Sequence, residues 1–506
     1  MIFQQDVIDA IDAADAEFAW CWECFQKLRR HEIEVRDLID FQVRLIRAFT
    51  KLDRAYRAVK AEQGRLIGRK SRYQPSWFGS RMKSLDLYLS AIKQALGIGR
   101  SLGDGFAWIF YRDEAALLEE HAQEQRQLLL PPNVGGIGER AFVEKLQGLG
   151  GTFVLYHAVT SFLRLGDVSF FDPRAGRITT IGEIKTRHVG GDTYHITLGF
   201  IAGDKNNPIL QQAEHAIGQA KSDPTPHEIL DGITQQTLKR QVDQIAKALK
   251  KQESSTENVK LKTQADFHFD VFADVVRRSH LRAFEFRKGG AGLVLGAWRF
   301  RKSESLGQRL FAKKGNVERT LEPARQVVQE VLDPKLSDNC LLVGSVGSYE
   351  SGFPTMLVGG VPLMWWPVEK DALRDVLFGH VIVVTLFNPA QLWALLRERG
   401  FIIATNNRSQ VTQIHRQIGD KRFEISNFSY FERLVQDALM DEMAIVKMIE
   451  ALAEQANAAA GISHLERIFD RGSGFDVKKT TLTPAKSHIS PPVLDKAYLC
   501  YEGAFG

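Results

Sequence analysis

The stretch GDVSFFDPRAGRITTIGEIKTR, residues 166–187, sets an aspartate, a turn and a Glu-Ile-Lys triplet within one hairpin-sized span. Side chains alternate faces along a strand, so Glu183 and Lys185 share a face while Ile184 turns to the other. DPRAG, with Pro173 and Gly176, is turn chemistry that folds the first run back beside TTIGEIKT. An antiparallel return brings Asp167 close to the Glu183 end of the second strand. Two carboxylates on neighbouring strands repel in a partly buried cleft, and a hard divalent cation that prefers oxygen resolves the repulsion. Such an ion lowers the pKa of bound water and polarises a phosphoryl oxygen. Lys185 would orient that water or stabilise charge on the phosphate. The chemistry this suits is metal-assisted hydrolysis of a phosphodiester. Asp172, followed by proline, is the alternative aspartate, and turn capping is its plainer role.

An aspartate on one strand, a short hairpin and then Glu-x-Lys resembles the PD-(D/E)XK, or restriction-endonuclease-like, nuclease superfamily. Asp167, Glu183 and Lys185 match its positions in turn, and GEIKTR is similar to the strand of prokaryotic members such as Holliday-junction-resolvase-like nucleases. The resemblance spans about residues 130–250. It implies an α/β fold whose central mixed sheet is flanked by helices, and Mg²⁺ or Mn²⁺ as cofactor. A further glutamate from the preceding helix is part of the pattern, and GERAFVEKL offers Glu139, with Glu144 in reserve. The implied metal ligands are Asp167, Glu183 and Glu139. DNA is the expected substrate, RNA the alternative, and prokaryotic restriction or antiphage defence the implied setting.

The elements that must position these residues follow from the rest of the chain. At 506 residues it exceeds one ordinary core, which predicts several domains. Hydrophobic residues at 44% and charged residues at 25% exclude a disordered chain, and a net charge of +5 neither demands nor forbids a nucleic-acid partner. Residues 1–127 read as a helical arm for self-association or for a protein partner. Val43, Ile46, Phe49, Leu52, Tyr56 and Val59 recur at helical spacing there, and shorter helical runs follow around 85–97 and 112–128. Residues 130–253 form the nuclease-like domain and 265–506 an α+β domain. Within the last, AFEFRKGGAGLVLGAWRF reads as a hairpin, HVIVVTLFNPAQLWALLRERG as strand then helix, and FSYFERLVQDALMDEMAIVKMIEALAEQA as a helical tail. A homo-oligomer is expected, because paired cuts need paired sites.

Four cysteines make no disulfide framework, and the Cys21-x-x-Cys24 pair lacks the second ligand pair of a zinc site, so both read as half-buried helix residues. No stretch reaches the ~18 apolar residues of a membrane span, and the acidic start is unlike a signal peptide, which places the chain in the cytoplasm. The glycine-rich 344–352 lacks the Gly-Lys-Ser/Thr of a phosphate loop. Trp365 and Trp366 read as packing at a domain junction. A basic cluster of Arg65, Arg69, Lys70, Arg72, Arg81 and Lys83 reads as a solvated helix end. Two classes of function remain: a metal-dependent nuclease, or a non-catalytic nucleic-acid-binding or scaffold subunit in which Glu183 and Lys185 are surface charges.

Overall fold

The computed structural model describes residues 2–30, 32–111, 153–190, 193–202, 266–300, 305–312, 339–346, 362–405, 411–418, 421–426 and 428–458, with scattered positions in 114–121 and 327–336. The chain divides into two compact units, Met1–Thr256 and Glu257–Gly506. It is a helical region followed by mixed α/β structure with several antiparallel sheets. No described helix is long and apolar enough to cross a membrane.

The first unit opens with three long helices, α1 (Gln4–Arg29), α2 (Val35–Gly68) and α3 (Pro75–Tyr111). Val43, Ile46, Phe49, Leu52 and Val59 of α2 are buried, as one apolar stripe demands. Cys21 and Cys24 are buried on α1, and burial pushes the Cys24 thiol up to about 12, so neither supplies a thiolate at neutral pH. Arg81 leaves the expected basic cluster: its guanidinium is largely buried on Glu62, 2.6 Å away.

Strands β1 (Phe153–Tyr156), β2 (Val168–Asp172), β3 (Arg177–Gly190) and β4 (Thr193–Ala202) form a sheet in chain order. The mixed sheet expected from sequence is antiparallel throughout its described strands. Each strand reverses onto its predecessor, whereas parallel neighbours need a crossover. Helices and sheet share one core. Phe106 of α3 stacks on Phe41 of α2 at 4.3 Å between ring centroids and meets Phe153 of β1 edge-on. Gln42, fully buried on α2, donates from Nε2 to the Val154 carbonyl at 2.9 Å and accepts the Tyr156 N–H at 2.8 Å.

The second unit carries α4 (Phe269–Arg282) and a sheet ordered β5-β6-β8-β7, from β5 (Phe284–Lys288), β6 (Leu293–Arg299), β7 (Leu342–Val346) and β8 (Val381–Phe387). β6 and β8 are almost wholly buried, which their near-continuous apolar sequences anticipate. Between β7 and β8 lies helix α5 (Lys370–Leu377), and after β8 comes α6 (Pro389–Glu398), with Asn388 as N-cap and proline at the first position. A second sheet, β11-β10-β9, comprises β9 (Ile402–Thr405), β10 (Val411–Ile418) and β11 (Lys421–Ser426). Trp365 and Trp366 are buried, Trp366 against Phe269 and Phe272. The expected single helical tail is two helices, α7 (Ser429–Gln436) and α8 (Glu442–Ala458). Leu439, at φ +58°, turns the chain between them, and Asp441 caps α8 by accepting from Met443 and Ala444 N–H.

Asp104 on α3 is buried and accepts from the Ser161 N–H at 2.6 Å and the Ser161 hydroxyl at 2.5 Å. Burial pushes its carboxyl up to about 7 despite these bonds and the charges of Arg100 and Arg164. The folded pKa lies above the unfolded value of about 4, so this group's stabilisation is complete below pH ~4 and lost as pH rises towards 7. Unfolding free energies from urea titrations at pH 4 to 7 should therefore fall with pH, by on the order of 1 kcal/mol per unit from this group, and Asp104→Asn should flatten that component.

Candidate functional site

The hairpin of β2 and β3 closes through Asp172–Gly176, where Asp172 accepts from Arg174 N–H at 2.8 Å and its carbonyl from Gly176 N–H at 2.8 Å. Asp172 is thus a turn cap. Asp167 sits half-buried just ahead of β2, and its contacts bracket Glu183. Its N–H donates to the Gly182 carbonyl at 2.8 Å, and its Oδ2 accepts the Ile184 N–H at 2.7 Å. Glu183 is 2% exposed. That burial is unlike the surface charge of the scaffold reading, since an ionised carboxylate out of water must be compensated. Lys185 follows on β3, opposite Thr197 of β4. Glu139 and Glu144 lie outside the described residues. The structure therefore sets Asp167 against the backbone on either side of Glu183, with Lys185 two positions further along the strand.

A chain of buried polar groups anchors the loop that carries Asp167. Backbone N–H groups of Arg164 and Leu165 both donate to His121 Nδ1 at 2.9 Å, so that nitrogen is unprotonated and Nε2 carries the hydrogen. His121 Nε2 then donates to the Tyr111 hydroxyl at 3.2 Å, Tyr111 to Ser169, and Ser169 to His157 Nε2. His157 Nδ1–H ends the chain on the Gly166 carbonyl at 3.1 Å, and the His157 N–H donates to the Asp167 carbonyl at 2.9 Å. Burial holds His121 well below the usual histidine range, with His157 adding to the effect, in keeping with a neutral ring. Both histidines hold neighbouring backbone and side-chain groups in place.

A separate cluster lies in the second unit, where His268, Asp441 and Glu442 each turn one ligand atom to a common point, all within 4.8 Å of one another. His268 and Glu442 are buried and Asp441 half-buried, and the group could hold a divalent metal ion. His268 Nε2 is 3.3 Å from Glu442 Oε2 and 3.6 Å from Asp441 Oδ2. Burial disfavours the imidazolium, but the bond to Glu442 and the charges of Glu442, Asp441 and Asp270 outweigh it and raise the His268 pKa. Burial also opposes the Glu442 carboxylate, and the bonds from His268 and the Gly292 N–H reverse that and lower its pKa.

No protein-family model, curated protein or solved structure matches this chain.

Sequence reasoning missed the second cluster. His268 is more than 170 positions from the adjacent Asp441 and Glu442, so no short metal-binding spacing betrays them. The signal that was present is Asp441 directly before the apolar-periodic EMAIVKMIE, an N-cap placed where the tail would otherwise read as one helix.

The polar chain makes its own prediction. Ser169→Ala leaves the buried Tyr111 hydroxyl and His157 Nε2 without their shared partner, and should cost about 1–3 kcal/mol in denaturant unfolding. Nitrogen NMR of the wild type should show His121 protonated at Nε2 and His157 at Nδ1.

Proposed function

We propose that the first unit is a divalent-metal-dependent nuclease that hydrolyses phosphodiester bonds, DNA before RNA. The observation that carries this reading is the bracketing of a buried Glu183 by the main-chain and side-chain bonds of Asp167. These two residues offer oxygen donors only, the set that Mg²⁺ or Mn²⁺ takes, and so they fit the metal that the superfamily resemblance implies. Asp167 and Glu183 would hold the ion, joined by Glu139. Bound there, such an ion supplies Lewis-acid polarisation of the phosphate and an activated water.

The chain's own residues have distinct parts. The Ile184 N–H fixes one oxygen of Asp167, which sets the direction of its carboxylate before any substrate arrives. The buried Glu183 concentrates negative charge where a cation is needed and a phosphate alone would be repelled. Lys185 is assigned the negative charge that develops on the phosphate in the transition state. The restriction-endonuclease-like arrangement of residues 130–253, a homo-oligomer for paired cuts, a protein partner for the helical region and a role in restriction or antiphage defence belong to the same reading.

Purified full-length chain should nick or linearise supercoiled DNA with Mg²⁺ or Mn²⁺ and stop in EDTA. Asp167→Asn keeps an oxygen for the Ile184 N–H and Glu183→Gln keeps the shape, so both should fold. With Lys185→Ala they should each lower cleavage on the order of 100-fold or more. Cutting that survives all three substitutions would sink the assignment. Absence of cutting on DNA and RNA, with no Mg²⁺ or Mn²⁺ binding lost in Asp167→Asn, would favour the scaffold reading.

A further inference from the structure

We propose that His268, Asp441 and Glu442 form a zinc site within the second unit, independent of the Asp167–Glu183 pair. Three segments remote in sequence meet there. Residues 266–268 and 439–441 run as a short antiparallel ladder: His268 N–H donates to the Leu439 carbonyl at 2.8 Å, Asp441 N–H to the Asp266 carbonyl at 2.9 Å, and Phe267 bridges Met440. The third segment is the turn between β5 and β6, whose Gly292 N–H donates to Glu442 Oε1 at 3.0 Å.

Each carboxylate is fixed by one oxygen and presents the other. Asp441 uses Oδ1 to accept the Met443 and Ala444 N–H groups and turns Oδ2 to His268. Glu442 uses Oε1 for Gly292 and turns Oε2 to His268. Backbone donors that orient ligand carboxylates in this way are the outer shell a metal site needs. Room for the Glu442 carboxylate depends on Gly290, where a Cβ would lie 1.7 Å from Oε2.

The His268–Glu442 contact is a long hydrogen bond, and its spacing also suits two ligands around one ion. A charge-assisted bond between imidazolium and carboxylate closes to about 2.7–2.9 Å. Here the separations are 3.3 and 3.6 Å. A tetrahedral zinc ion with bonds of about 2.0–2.1 Å holds its ligand atoms roughly 3.3–3.4 Å apart. One imidazole nitrogen with two carboxylates favours Zn²⁺ over Mg²⁺ or Ca²⁺, which take oxygen alone. His268 and Glu442 are nearly sealed, at 9% and 2% side-chain exposure, while Asp441 retains 31% and marks the side open to solvent for a fourth ligand. The ion would tie the start of α4, the β5–β6 turn and the start of α8 into one clip.

The test is calorimetric titration of Zn²⁺ into metal-stripped full-length chain held in excess Mg²⁺, which occupies the Asp167–Glu183 pair, beside Asp441→Asn, Glu442→Gln and, as an exposed-carboxylate control, Asp9→Asn. Asparagine still caps a helix and glutamine still accepts from Gly292, so the first two variants keep their structural bonds. One equivalent of Zn²⁺ should bind the wild type and raise its melting temperature. Binding should weaken at least about 10–100-fold in Asp441→Asn and in Glu442→Gln, and stay unchanged in Asp9→Asn. Stoichiometric binding that is unaffected by the first two substitutions, or no stoichiometric Zn²⁺ binding by the wild type, would overturn the proposal.

Discussion

A carboxylate taken out of water must be met by donors, and in this chain the donors are repeatedly backbone amides. Asp104 takes the Ser161 N–H, Asp167 the Ile184 N–H, Glu442 the Gly292 N–H and Asp441 the first turn of α8. A backbone donor is fixed by secondary structure, so each of these carboxylates inherits a direction from a strand, turn or helix end. The arrangement leaves each acid geometrically defined by the main chain.

The first unit extends this logic to neutral groups. Two amides at 164 and 165 determine the tautomer of His121, and the direction of every hydrogen bond from there to Gly166 follows. Each member of this chain orients the next, so its members are coupled. It holds the loop before β2 from beneath, while the β3 ladder holds it from the side. Asp167 is positioned by both.

The sequence made the local hairpins legible because turn residues and alternation are local signals. The DPRAG turn, the β5–β6 hairpin and the β8–α6 unit all lie where those signals place them. The pairing of Asp167 with the Glu183 segment followed from the same reasoning. Of the 37-residue helix α3 only a run around 85–97 was legible, and Gly97, Gly99, Gly103 and Gly105 lie from the end of that run onward. Gly103 serves for close approach: a Cβ there would lie 1.8 Å from the Val159 carbonyl. Tertiary packing overrides propensity at that point. The break at Leu439 was hidden for the opposite reason, since apolar periodicity runs on through α7 and α8 while the backbone turns. With that break went any view of the His268 cluster, whose members meet only after folding.

Gln42 has a role beyond filling the core. β1 stands at one end of its sheet's described strands, and an end strand offers unpaired amides and carbonyls to any extended chain that drifts alongside. The Gln42 amide answers one carbonyl and one N–H of β1 as a peptide unit of a neighbouring strand would, yet it is delivered by a helix and cannot be continued. Among the described residues, that edge is met by a side chain that mimics a partner strand. Edge-to-edge addition, the route by which sheets recruit foreign strands into aggregates, is hindered at that point by one glutamine.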